Sequence, residues 1–123
     1  MKESKTALVV DDEDIVRDYY AAVLSTMGLR VLTADDGDTA IAVLEKNPEV
    51  DLLVLDLKMK RMSGKEAYKL LKQIKPDMKV IVSSAYITSS EGKQLQEMGV
   101  DAILKKPFPM LSFRETVLNT LGD

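Results

Sequence analysis

The sequence predicts an α/β domain in which short strands alternate with helices around a five-stranded parallel sheet. Short apolar runs alternate with segments of helical period five times along the chain, the pattern of repeated βα units. Two of these runs, Ala7 to Val10 and Leu52 to Leu55, are apolar at every position, as strands covered by helices on both faces must be. Polar residues follow four of the runs: Asp11-Asp12, then Asp56, Ser84 and Lys106. A parallel sheet would gather all four points at one edge, where open α/β sheets bind ligands.

The elements follow in order. The first strand is Ala7 to Val10, and the first helix runs from about Glu13 to Met27. Val16, Tyr19 or Tyr20, Val23 and Met27 form its inward stripe, and Gly28 terminates it. Arg30 to Ala34 is the second strand. Asp36-Gly37-Asp38 opens a second helix that turns Ala40, Ile41 and Leu44 inward and stops at Asn47-Pro48.

Leu52 to Leu55 is the third strand. Past the loop Lys58 to Gly64, Ala67, Leu70, Leu71 and Ile74 recur at helical spacing until Pro76. Val80 to Ser83 is the fourth strand. Thr88-Ser89-Ser90-Glu91 has capping-box spacing and opens a fourth helix that ends at Gly99. Ala102 to Leu104 is a short fifth strand. The last helix begins near Pro109 or at Ser112, where Ser112 and Glu115 repeat that spacing, and carries Val117, Leu118 and Leu121 inward.

The 123 residues, 46% hydrophobic and 30% charged, suit one globular domain spanning 1–123. A net charge of -3 argues against direct binding to nucleic acid or anionic lipid, since a polyanion needs a basic stripe. The cluster Lys58, Lys60, Arg61 and Lys65 is short enough to be a solvated loop. Without cysteine or histidine, thiolate chemistry, zinc sites and imidazole bases are excluded. No apolar run is long enough to span a membrane and Met1 to Thr6 is too polar for a signal peptide, so a cytoplasmic location is expected.

Strands one and three, apolar on both faces, should be neighbours, giving the order 2-1-3-4-5. The winding then reverses between them and opens a crevice shared by Asp11, Asp12 and Asp56. Carboxylates that close repel unless a divalent cation sits among them or one takes up a proton. A hard oxygen site suits magnesium or manganese. Magnesium keeps waters and accepts a phosphate oxygen as a further ligand, Lys106 can neutralise a second oxygen, Ser84 can hydrogen-bond a third, and a carboxylate can itself attack phosphorus.

Each residue alone also has a plain structural reading. Asp11 to Asp14 are acids that a helix N-terminus favours, and Asp56 can satisfy loop amides. Ser84 can cap a loop and Lys106 can be a solvated charge. Their joint placement after separate strands favours the phosphate site.

The residues Val9 to Glu13 (VVDDE), Leu53 to Met59 (LVLDLKM), Met62 to Gly64 (MSG), Val82 to Ala85 (VSSA) and Lys105 to Phe108 (KKPF) together resemble the receiver domain of bacterial two-component response regulators. The resemblance covers essentially the full length and implies a flavodoxin-like, doubly wound (βα)5 fold. It implies that Asp56 accepts a phosphoryl group from the phosphohistidine of a sensor histidine kinase or histidine phosphotransfer protein. Asp12, Asp56 and the backbone carbonyl of Lys58 would hold Mg²⁺ directly, with Asp11 acting through water.

Ser84 and Lys106 would meet the phosphoryl group, and the face of the fourth helix, fifth strand and fifth helix would signal to a downstream output domain or protein. Such a domain is not an enzyme in the ordinary sense, since it catalyses its own phosphorylation and slow dephosphorylation. The Lys106-Pro107 bond is expected to be cis by the same similarity.

The chain departs from the family pattern in places. Lys60 stands where a proline usually follows the methionine, which loosens the loop and adds positive charge. Ile103 replaces the usual Tyr or Phe of the switch, and Tyr86 is the candidate substitute. Lys58 and Tyr86 would flank the hydrolytic water, and their bulk implies intermediate to slow decay of the phosphorylated form. Two further readings fit part of the pattern: a magnesium-dependent phosphatase with an aspartyl nucleophile, which generally has a second acid where Lys58 stands, and a degenerate receiver that only docks. A nucleotide-binding relative is disfavoured because Asp11 to Asp14 would repel phosphate.

Overall fold

Alternation along the strands explains the whole arrangement. In a computed structural model, which describes residues 5–59, 61–106 and 108–122, the strands are β1 (Thr6–Val10), β2 (Arg30–Ala34), β3 (Leu52–Asp56), β4 (Lys79–Ser84) and β5 (Ala102–Lys105). They form one parallel sheet in the order β2-β1-β3-β4-β5. The helices are α1 (Asp14–Thr26), α2 (Gly37–Lys46), α3 (Gly64–Ile74), α4 (Ser89–Glu97) and α5 (Met110–Leu121).

Residues that alternate along a strand face opposite sides of the sheet. Leu8, Val10, Leu53, Leu55, Val80 and Val82 pack with Ala40, Leu44, Ala67, Tyr68, Leu71 and Leu95 of α2, α3 and α4. Ala7, Val9, Leu52, Val54 and Ile81 pack with Tyr20, Val23 and Leu24 of α1 and Phe113 and Val117 of α5. β1 and β3, buried at every position, lie side by side with Ala7 opposite Leu52 and Val10 opposite Leu55. The chain therefore leaves β1 toward β2 and returns to the other side of β1, and the carboxyl ends of β1 and β3 diverge into the expected crevice.

The structure decides two open alternatives, Tyr19 or Tyr20 on α1 and the start of α5, and corrects the inward stripes of α3 and α5. On α1 it is Tyr20 that is buried, while Tyr19 is exposed. On α3 the buried stripe is Ala67, Tyr68 and Leu71, and Leu70 and Ile74 lie on its exposed flank. Tyr68 turns inward because its hydroxyl finds a partner there, donating to the Met98 carbonyl at 2.9 Å. α5 starts at Met110 after an N-cap at Pro109 without a side-chain cap. Ser112 is not a cap: its carbonyl accepts from the Thr116 hydroxyl, and Phe113 with Val117 is buried while Leu118 is exposed.

The capping box at α4 forms as expected. The Thr88 hydroxyl accepts the Glu91 amide, and the Glu91 carboxylate accepts the Thr88 amide at 3.2 Å. α3 has a second box, Ser63 with Glu66. Among the described residues no helix is long and apolar enough to cross a membrane.

Candidate functional site

Two strand ends bring the acids together. Asp11 follows β1, its amide donating to the Ala34 carbonyl, and its side chain is fully buried. Its Oδ1 accepts the Glu13 amide at 2.9 Å, which turns the chain into α1. Arg17, one turn into that helix, donates to the Asp11 carbonyl at 2.8 Å. The sequence reading did not single out Arg17, and its signal was the i, i+3 spacing from Asp14, with which it pairs.

Asp56 is the last residue of β3, and α3 presses on it from above. A Cβ on Gly64 would sit 2.4 Å from the Asp56 carbonyl oxygen and 2.6 Å from the Leu57 Cα. Only glycine lets the N-terminus of α3 approach this closely, and the Gly64 amide closes the loop by donating to the Leu57 carbonyl at 2.9 Å.

The three carboxylates converge. One oxygen from each of Asp11, Asp12 and Asp56 lies within 4.8 Å of the others, with Asp11 and Asp56 buried and Asp12 half-buried. Lys106, carried from the end of β5, stands opposite. Its ammonium donates to Asp11 Oδ2 at 3.0 Å and to Asp56 Oδ1 at 3.4 Å, and its side chain is 14% exposed. The Lys58 amide also lies 3.4 Å from Asp56 Oδ1.

Electrostatics follow from burial. Desolvation first, and the charge of Asp11 second, push the Asp56 carboxyl from 3.8 up to about 6, against the pull of Lys106 and the Lys58 amide. Burial alone would lower the Lys106 ammonium, but its hydrogen bond to Asp11 and the two carboxylate charges outweigh that and raise it. A single ammonium cannot neutralise three acids, so the cluster suits a hard divalent cation with all-oxygen ligands.

The remaining expected residues are placed as follows. Ser84 is buried, and its hydroxyl closes on its own loop, donating to the Tyr86 carbonyl at 2.8 Å and accepting the Tyr86 amide at 3.3 Å. In this conformation it caps the loop. Its carbonyl accepts the Lys106 amide at 2.7 Å, so Ser84 and Lys106 are tied through the backbone. Tyr86 is 69% exposed, and Ile103 is half-buried against the α2, α3 and α4 core. The Lys58 side chain turns to Glu91 at 3.7 Å, away from the role of a second acid. Lys60 and the Lys106-Pro107 peptide bond lie outside the described residues.

A family model described as the response regulator receiver domain matches residues 7–118. Response regulator RR06 of Streptococcus pneumoniae is 38% identical over 85% of this chain and 47% of its own length. Sensor histidine kinase RcsC of Escherichia coli is 33% identical over 89% of this chain and 12% of its own. The chain spans less than half the length of the curated relatives it matches. A receiver domain protein of Methanospirillum hungatei has the same fold, with a TM-score of 0.91 and 26% identity over 98% of this chain and 95% of its own.

Proposed function

The chain belongs to the response regulator receiver domain family, the phosphoacceptor domains of two-component signalling, and from that premise we propose that Asp56 is the residue that takes up the phosphoryl group. The observation that carries the assignment is the convergence of Asp11, Asp12 and Asp56 within 4.8 Å under the Lys106 ammonium. Asp56 is the member that ends a strand, is buried, and meets both Lys106 and the Lys58 amide. That anchoring presents a carboxylate in one orientation, which an in-line attack needs.

The transfer balances simply. A carboxylate oxygen of Asp56 forms the new O–P bond, and the N–P bond of a phosphohistidine breaks. The leaving imidazole nitrogen keeps the electron pair and takes a proton. These 123 residues contain no histidine, so the donor histidine lies outside them, on a sensor histidine kinase or a histidine phosphotransfer protein. The proposed location is the cytoplasm, where phosphohistidine is made from ATP.

Asp12, Asp56 and the Lys58 carbonyl are the proposed direct ligands of Mg²⁺, with Asp11 holding it through water; Mn²⁺ would satisfy the same oxygens. The bound cation supplies positive charge that offsets both the acids and the phosphoryl oxygens. Lys106 neutralises another phosphoryl oxygen as a point charge, and Ser84 leaves Tyr86 to donate to a third. The residues thus promote their own phosphorylation and its slow reversal, Lys58 and Tyr86 flanking the hydrolytic water, and residues 1–123 work as one receiver that signals to an output domain or protein. Ser84, Tyr86 and Ile103 are the proposed switch residues.

The test is incubation with acetyl phosphate and Mg²⁺ followed by intact-mass measurement. One added phosphoryl group on the wild type and none on Asp56→Asn is expected. Equal mass gain on both proteins would refute Asp56 as the acceptor. A phosphatase of the aspartyl class would instead turn over unrelated phosphate esters, and Lys58 in the place of its second acid argues against that.

A further inference from the structure

Tyr20 sits in α1 at 3% exposure, yet its surroundings are not those of an ordinary core residue. Its ring stacks on Phe108 at 5.5 Å with an interplanar angle of 12° and on Phe113 at 5.1 Å, and Phe108 and Phe113 meet each other at 5.8 Å. Phe108 is only two residues beyond Lys106. Tyr20, Lys106 and Phe108 line one groove beside the acid cluster.

The hydroxyl end is also placed toward the site. Long side chains on a helix lean back toward its N-terminus, and α1 begins at the acid cluster. Burial raises the Tyr20 phenol, while Ser83 and Lys106 pull it down and Asp11 and Asp56 push it up, so the phenol feels the charges of Lys106, Asp11 and Asp56. Ser83, the register partner of Asp56, has a buried hydroxyl with no hydrogen-bond partner among the described residues. Tyr20 is near enough for Ser83 to affect its acidity but not in bonding geometry. A leucine could fill this volume, but it would offer no flat face to Phe108.

We propose that Tyr20 is a positioning residue for phosphoryl transfer, its ring clamping the Phe108 side of the loop so that the Lys106 ammonium stays between Asp11 and Asp56. The loop is held at its other side by the Lys106 amide on the Ser84 carbonyl. The proposal rests on Asp56 being the acceptor. It has a consequence that general destabilisation lacks: Lys106 and a divalent cation compete for the carboxylates of Asp11 and Asp56. Loosening the lysine leaves those acids less neutralised, which tightens cation binding, while transfer slows because the ammonium is misplaced when charge develops on the phosphoryl group.

The experiment measures Mg²⁺ affinity by calorimetry with Mg²⁺ alone, and the phosphorylation rate with acetyl phosphate at saturating Mg²⁺. Tyr20→Leu is expected to bind Mg²⁺ about 3-fold more tightly and to be phosphorylated roughly 10-fold more slowly, less than the loss of a whole charged donor. Tyr20→Phe, which keeps the stacking face, is expected to recover both. Phe108→Leu removes the same stack from the other side and should reproduce the pattern, which keeps the test valid if Tyr20→Leu does not fold.

Slower transfer together with weaker Mg²⁺ binding in folded protein, or an unchanged rate, overturns the proposal, as does a Tyr20→Phe variant as slow as Tyr20→Leu. If wild type takes up no phosphoryl group at all while the Mg²⁺ affinities still change as expected, the acceptor assignment fails and the clamp on Lys106 stands.

Discussion

Asp56→Asn should make this domain more stable, and the gain should depend on pH. The native carboxyl titrates at about 6 against an ordinary 3.8, so the folded state holds its proton more tightly than the unfolded chain does. One pKa unit corresponds to about 1.4 kcal/mol, so keeping Asp56 ionised in the fold costs about 3 kcal/mol at pH 8. That cost is fully present above the folded value, shrinks as pH falls through about 6, and vanishes below the unfolded value. Asparagine has nearly the same shape and never ionises, so it escapes the cost at every pH.

Urea denaturation in the presence of a chelator measures the difference. The variant is expected to be more stable by about 2–3 kcal/mol at pH 8, with the gap closing between about pH 7 and 4. Added Mg²⁺ should narrow it from the other direction, since a cation that binds the wild-type acids at 100 times its Kd stabilises them by about 2.7 kcal/mol. A variant less stable than wild type at pH 8, or a gap that does not change with pH, would refute the argument that burial and Asp11 hold Asp56 in a strained charged state.

Lys106→Met removes the ammonium that Asp11 and Asp56 share; without Mg²⁺ at pH 8 it should cost about 3 kcal/mol in urea titrations, because two buried acids lose their partner. Gly64→Ala drives a Cβ against the Asp56 carbonyl and Leu57 and should cost about 2–3 kcal/mol; an unchanged melting temperature would show that α3 can retreat freely. Thr88→Ala removes half of the α4 capping box and should cost about 1 kcal/mol, with faster amide hydrogen exchange confined to residues 89–97.

The fold was legible because its signals are redundant. The two wholly apolar runs identified the central strands, and glycines and prolines marked most helix ends. On α3 the pattern misled, in part because of a polar tip. Tyr68 lies inward because Met98 offers its hydroxyl a carbonyl, which no periodicity shows, and Leu70 was read as core only because it is apolar. Of the two starts the sequence allowed for α5, the one near Pro109 is realised: Phe113 lies inside the helix and stacks on Tyr20, and Ser112 is no cap. The acid cluster was legible from strand ends alone. The aromatic stack beside Lys106 was not, since Tyr20, Phe108 and Phe113 are far apart in the chain and meet only when α1 and α5 cover the same face.

The resting arrangement also bears on how the site can reach a surface without an aromatic at Ile103. That side chain is aliphatic and half-buried against the core, and it gains no hydrogen bond by rotating outward. The β4–α4 loop is better suited to move. Ser84 is held there by hydrogen bonds to Tyr86, worth about 1 kcal/mol each, which a charged phosphoryl oxygen can readily outbid. Leu95 is the only buried residue described in α4, so little apolar contact resists its displacement. Glu91 ties the start of that helix both to its cap at Thr88 and to Lys58, two residues beyond Asp56. Asp56 is therefore linked to α4 from two directions, through the loop of Ser84 and through Lys58, and α4 buries fewer described residues than any other helix.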